Sequence, residues 1–98
     1  MNDDKMIQIL SELGNLTRLS IYRLLIKNGD DGLRVGEIAE RLSIPASTLS
    51  FHLGCLTDAG LVVQRKISRS VICSAKLDQL TEVIIKLQKE CCADVDNS

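Results

Sequence analysis

The stretch Val35 to Gly60, VGEIAERLSIPASTLSFHLGCLTDAG, constrains the fold more than any other. Val35, Ile38 and Leu42 line one side of a helix, and Leu49, Leu53 and Leu56 form a second apolar stripe of the same length. Between them, Pro45 has no amide donor and biases Ile44 toward extended backbone, so the first helix must stop before it. Gly60 suits the left-handed conformation that closes many helices. The reading is helix, tight turn, helix.

The second helix carries an unusual opposite face. Ser47, Thr48, Ser50, Phe51 and His52 cluster in its first two turns, where a purely packing helix more often shows Glu, Lys and Arg. Hydroxyls and an imidazole at those positions suit hydrogen bonding to base edges in a DNA major groove. After Gly60, two β-branched runs, Leu61–Val63 and Val71–Cys73, flank the polar segment Ile67-Ser68-Arg69-Ser70 and predict a hairpin. Arg65, Lys66 and Arg69 make that hairpin basic.

Taken together, EIAERLSIPASTLSFHLGCLTDAGLVVQRKISRSVICSA resembles the ArsR-type family of winged-helix, metal-responsive repressors, with STLSFHLGCLTDAGLV as its most specific part. The resemblance implies a mainly α (α+β) winged helix-turn-helix. One domain over 1–98 is expected, with the helix-turn-helix at about 35–60 and a two-stranded wing at about 61–75. It also implies a homodimer on double-stranded operator DNA, held by helices at about 4–13 and 77–92. Ser47, Thr48, Ser50, Phe51, His52, Arg65, Lys66 and Arg69 are the expected DNA contacts.

Ninety-eight residues bury only a small core, so a subunit interface would add substantially to stability. Apolar residues make up 45%, yet Tyr22 and Phe51 are the only aromatics, and the core must be aliphatic. The net charge of −1 argues against a uniformly basic nucleic-acid binder, but the charges segregate. Gly60 to Lys76 holds four basic residues and no acid, whereas Leu77 to Ser98 holds five acids and two lysines. That polarity orients the molecule on a polyanion.

No apolar run approaches the roughly 20 residues of a membrane span, and the first residues lack a secretory pattern, so a cytoplasmic protein without membrane contact is expected. Its four cysteines are then read as free thiols, metal ligands or redox groups rather than disulfides. No phosphate loop, Cys-x-x-Cys or nucleophile-base signature is present, which points away from an enzyme.

Upstream, Met6, Ile9, Leu10 and Leu13 predict a short amphipathic helix, and Leu16, Leu19, Ile21, Leu24 and Leu25 a strongly apolar one. Arg18, in LGNLTRLSIYRLL, is open to either a DNA phosphate or an ion pair. Lys27 to Gly32 reads as a loop. Leu77, Leu80, Ile84, Leu87 and Cys91 form a stripe of about four turns, broadened by Val83 and Ile85. The stripe packs on its own domain, on a second subunit, or on both.

Within the family the signal enters at different places. The Cys-x-Cys that some relatives carry at the first helix of the motif is replaced by Arg34-Val35-Gly36. The inter-subunit zinc site of others needs histidines on the last helix; Asp78 and Glu82 are present, but the sole histidine is His52. What remains is Cys91-Cys92, which resembles the vicinal pair of an arsenic-responsive subset. Soft thiolates select soft acceptors, trivalent arsenic among them, inorganic or organic, and no obligatory cofactor is expected.

Three sulfurs for one ion would require Cys73 or Cys55 as well. Cys73 lies roughly 20 Å from Cys91 along the last helix, so within one chain a third ligand from Cys73 is disfavoured. Cys55 is expected to pack among Leu53 and Leu56. Two alternatives stay open at this point: a redox or reactive-sulfur sensor using these thiols, and a protein-interaction winged helix that does not bind DNA.

Overall fold

The computed structural model describes residues 1–93; the acidic positions Asp94 and Asp96 and the end of the expected domain at 98 lie outside the described residues. The order is α1 (Asp3–Leu13), α2 (Leu16–Asn28), β1 (Leu33–Arg34), α3 (Val35–Leu42), α4 (Ala46–Asp58), β2 (Val62–Ile67), β3 (Ser70–Ala75) and α5 (Asp78–Glu90). Asn2 and Asn15 cap α1 and α2, their side chains accepting from Lys5 N at 2.9 Å and Arg18 N at 3.0 Å.

Both stops in the helix-turn-helix use the same pattern of backbone hydrogen bonds. At the end of α4, Leu61 N donates to Leu56 O and Gly60 N to Thr57 O, with Gly60 at φ +77°. At the end of α3, Ile44 N donates to Ala39 O and Ser43 N to Glu40 O, with Ser43 at φ +53°. These are paired closures around a left-handed residue, and serine occupies a position that favours glycine.

Fifteen apolar side chains from every element form the core, among them Ile9, Ile21, Tyr22, Leu25, Ile38, Leu49, Leu53, Leu56, Leu61 and Val83. As expected, its filling is aliphatic. Tyr22 alone brings a polar tip into it, and its hydroxyl donates to Lys76 O at 2.7 Å, pinning the chain between β3 and α5 to α2. Burial, then the charge of Asp78, pushes the Tyr22 phenol above its usual range.

The expected two-stranded wing is the β2–β3 hairpin, and a further strand extends it to a three-stranded sheet: β3 is central, β2 runs antiparallel along one side with Ile67 opposite Ser70, and β1 pairs on the other through Leu33–Cys73 and Arg34–Ile72. Gly32 makes this third strand accessible. At φ +76° it lies so close to β3 that a Cβ would sit 2.6 Å from Cys73 O. Of β2, only Val62 is buried, and residues 64–67 project into solvent as the outer edge of a wing.

Apolar expectations change on three helices, α1, α2 and α5. Leu16 is 82% exposed, because the first position of α2 faces away from the core. On α5 the predicted stripe divides: Val83 is buried and Leu80 packs against the core, whereas Leu77, Ile84, Ile85 and Leu87 are exposed. On α1, Ile7 and Leu10 are exposed as well, and α1 and α5 are neighbours. No helix among the described residues is long and apolar enough to cross a membrane.

Candidate nucleic-acid interface and the terminal cysteine pair

Leu49, Leu53 and Leu56 fix the rotation of α4 by burying one side, and this turns Ser47, Thr48, Ser50 and Phe51 outward. α4 contains neither Lys nor Arg and has no acid in its first turn. The positive end of its dipole therefore remains uncompensated where Ser47 and Thr48 lie. His52 is half-buried, its ring edge-on to Phe51 at a centroid distance of 5.4 Å.

The wing is fixed to this helix at its root. Gln64 Nε2 donates to Thr57 Oγ1 at 2.8 Å, bridging β2 and α4. An open groove of about 740 Å³ lies between α3, α4 and the hairpin, with Ser50 and Arg69 both on its wall. One expected base-reading residue and one expected phosphate contact thus face the same space. Arg65, Lys66 and Arg69 are exposed, and Arg65 Nη2 lies 3.5 Å from Asp30 O.

α1 braces α4 at two points that no sequence motif signals. Lys5 Nζ donates to Ala59 O at 3.1 Å, placing a cation at the negative end of the α4 dipole. From the far end of α1, Glu12 holds Arg18: the guanidinium Nε donates to Glu12 O at 2.8 Å and lies 3.1 Å from Glu12 Oε2. Arg18 Nη1 then reaches His52 Nδ1 at 3.3 Å. Of the two roles open to Arg18, the structure shows an ion pair, extended into the exposed helix.

The cysteines separate by environment. α5 ends at Glu90, short of the expected 92, so Cys91 and Cys92 occupy a turn, Cys92 at φ +64°. Adjacent residues on a regular helix diverge by about 100°; here, outside the helix, both are exposed with their sulfurs 3.6 Å apart. Cys73 is fully buried in β3 and its thiol is pushed up by burial, while Cys55 is half-buried in α4. Among the described residues of the single chain no group of three or more His, Cys, Asp or Glu side chains is placed to hold a metal.

Comparison with known proteins identifies the class. The family described as "Helix-turn-helix domain" matches residues 13–65. The transcriptional activator HlyU of Vibrio cholerae is 33% identical, the alignment covering 93% of this chain and 82% of HlyU. Its solved structure superposes with a TM-score of 0.70, covering 93% of this chain and 99% of that one. An ArsR family transcriptional regulator, RHA00566, shares the fold at 21% identity with a TM-score of 0.79, covering 92% and 90%. A Halobacterium salinarum protein named as an arsenical resistance operon repressor, ArsR2, is 40% identical over 61% of this chain and 50% of its own length.

The chain belongs to the ArsR-type family of winged helix-turn-helix transcriptional regulators, a non-enzymatic family of DNA-binding proteins.

Proposed function

We propose that this protein is a cytoplasmic, homodimeric repressor that holds an operator in its ligand-free state and releases it when trivalent arsenic engages Cys91 and Cys92. The observation that carries the reading is the exposed sulfur pair 3.6 Å apart. Two metal–sulfur bonds of about 2.3 Å, opening at a pyramidal or tetrahedral angle, span about 3.5–3.8 Å. The pair therefore matches the bite of a thiophilic centre with little rearrangement. A third position filled by carbon suits a monosubstituted arsenical; inorganic arsenite would need a third sulfur from outside the described chain.

The rest of the molecule supports a two-fold regulator. Ile7 and Leu10 on α1 and Ile84 and Leu87 on α5 give a small domain an exposed apolar face that a second copy would cover. Two copies of α4 would then read half-sites about one turn apart, with Arg65, Lys66 and Arg69 of each wing on phosphate. The cysteines directly follow α5, so ordering that turn acts on the dimer face and, through Lys5 and Glu12–Arg18, on α4. A ligand that binds the released shape about 100-fold better than the operator-bound shape shifts occupancy by the same factor.

Sulfur-to-arsenic charge-transfer absorption, titrated with phenylarsenous acid, tests the site. One equivalent per chain is expected for the wild type and none for Cys91→Ser/Cys92→Ser. Full binding by the double variant would refute it. The buried, proton-retaining Cys73 disfavours the redox alternative at that residue, since the thiolate is the reactive form.

A further inference from the structure

We infer that Arg18 fixes the tautomer of His52 and so makes it a one-directional donor on α4, selecting an acceptor-bearing base edge; the inference rests on the DNA-reading role proposed above for α4. A guanidinium has five N–H groups and no acceptor. At 3.3 Å from Arg18 Nη1, His52 Nδ1 must therefore be the accepting nitrogen, and the ring is neutral with its proton on Nε2. A flipped ring would turn a C–H bond toward the guanidinium, where it accepts nothing.

Arg18 is itself held in place. Its Nε is committed to Glu12 O at 2.8 Å and lies 3.1 Å from Glu12 Oε2, and its side chain is largely buried. The ring also makes a T-shaped contact with Phe51. Among the described residues no hydrogen bond to Nε2 is formed, which leaves the Nε2–H for a ligand of α4.

The chemical consequence is a specificity. In the major groove an N–H donor pairs with guanine O6 or N7, adenine N7 or thymine O4, and is mismatched to the amino groups of cytosine and adenine. Guanine, with two acceptors on that edge, fits best. Arg18 is a positioning residue here: it touches no base and acts by setting which imidazole nitrogen is the donor.

The test has two arms. Because His52 is the only histidine, long-range 1H–15N correlation on the free full-length chain reports a single imidazole. The expected result is protonated Nε2 and bare Nδ1, with the preference lost in Arg18→Met. Protonated Nδ1 in the wild type overturns the inference.

In the second arm, duplexes enriched by the wild type from a randomised pool are rebound by His52→Gln, His52→Asn and Arg18→Met. The Gln side-chain nitrogen stands near Nε2 and that of Asn near Nδ1. Gln should therefore retain the preference at one base pair. Asn and Arg18→Met should lose roughly five- to tenfold of it, the lower end of the range because a single hydrogen bond is involved. Asn retaining what Gln loses, or no base pair responding to any variant, overturns the inference without the fold of an Arg18 variant being at issue. If the wild type enriches no duplex, the operator-binding reading fails and base selection by His52 fails with it. The spectrum of the free chain still decides the part assigned to Arg18.

Discussion

Replacing Ile84 and Leu87 together with alanine separates assembly from folding. These side chains are 46% and 47% exposed, so pairing would bury about one whole side chain's worth per protomer and about two per dimer. Full burial of an Ile or Leu is worth about 1.5–3 kcal/mol, and alanine retains its methyl, so about two thirds of the gain disappears. The dimer should weaken by about 2–4 kcal/mol, which is roughly 30- to 1,000-fold in dissociation constant. The protomer should keep its helical content, because both sites are solvent-exposed in a single chain and alanine is the best helix former. Val83, adjacent but 1% exposed, provides the contrast: Val83→Ala should cost the fold about 2 kcal/mol. Sedimentation equilibrium over a concentration series, with circular dichroism on the same samples, reads both quantities. A dissociation constant for the double variant within threefold of wild type would show that this face is not the interface.

Ser43→Gly should stabilise the chain by about 0.5–1 kcal/mol in urea, since the left-handed turn between α3 and α4 costs serine what it does not cost glycine; a lower midpoint would contradict the closure described. A maleimide should label Cys91 and Cys92 quickly in the folded, reduced protein and Cys73 only on unfolding, as mass mapping would show; early labelling of Cys73 would refute its burial. Tyr22→Phe should cost about 1 kcal/mol near neutral pH by removing the bond to Lys76 O. Because the folded phenol is raised above its ordinary value of 10.0, its contribution is intact below pH 10 and is lost as pH rises through the folded value. The wild type should therefore lose stability above pH 10 more steeply than Tyr22→Phe, and parallel profiles would contradict this.

The helix-turn-helix and wing were legible because local physics decides them. Leucine spacing sets the rotation of α4, Pro45 and Gly60 mark its ends, and β-branched runs around Ser68-Arg69 make a hairpin. β1 was not legible, since two residues carry no periodicity and pair only because Gly32 approaches β3 closely. Nor could spacing alone divide the α5 stripe into buried Val83 and exposed Ile84 and Leu87, a division that depends on the angle at which the helix lies on the core. At the interface, sequence placed Ser47, Thr48, Ser50 and Phe51 on the outer face of α4, but Arg18–His52 joins residues 34 apart and has no local signature. The cysteine pair was visible as a pair. Its 3.6 Å spacing follows from α5 ending at Glu90, a boundary that helix propensity does not fix.

Fluorescence anisotropy of the reduced protein on labelled duplex from upstream of its own gene, titrated with arsenite and separately with phenylarsenous acid, tests the central claim most directly. The account predicts release by phenylarsenous acid, and tight but unreleased DNA binding by Cys91→Ser/Cys92→Ser under the same titration. Release by arsenite as well would add a recruited third sulfur. Retention of the duplex by the wild type against both arsenicals, or release from the double serine variant, would contradict it.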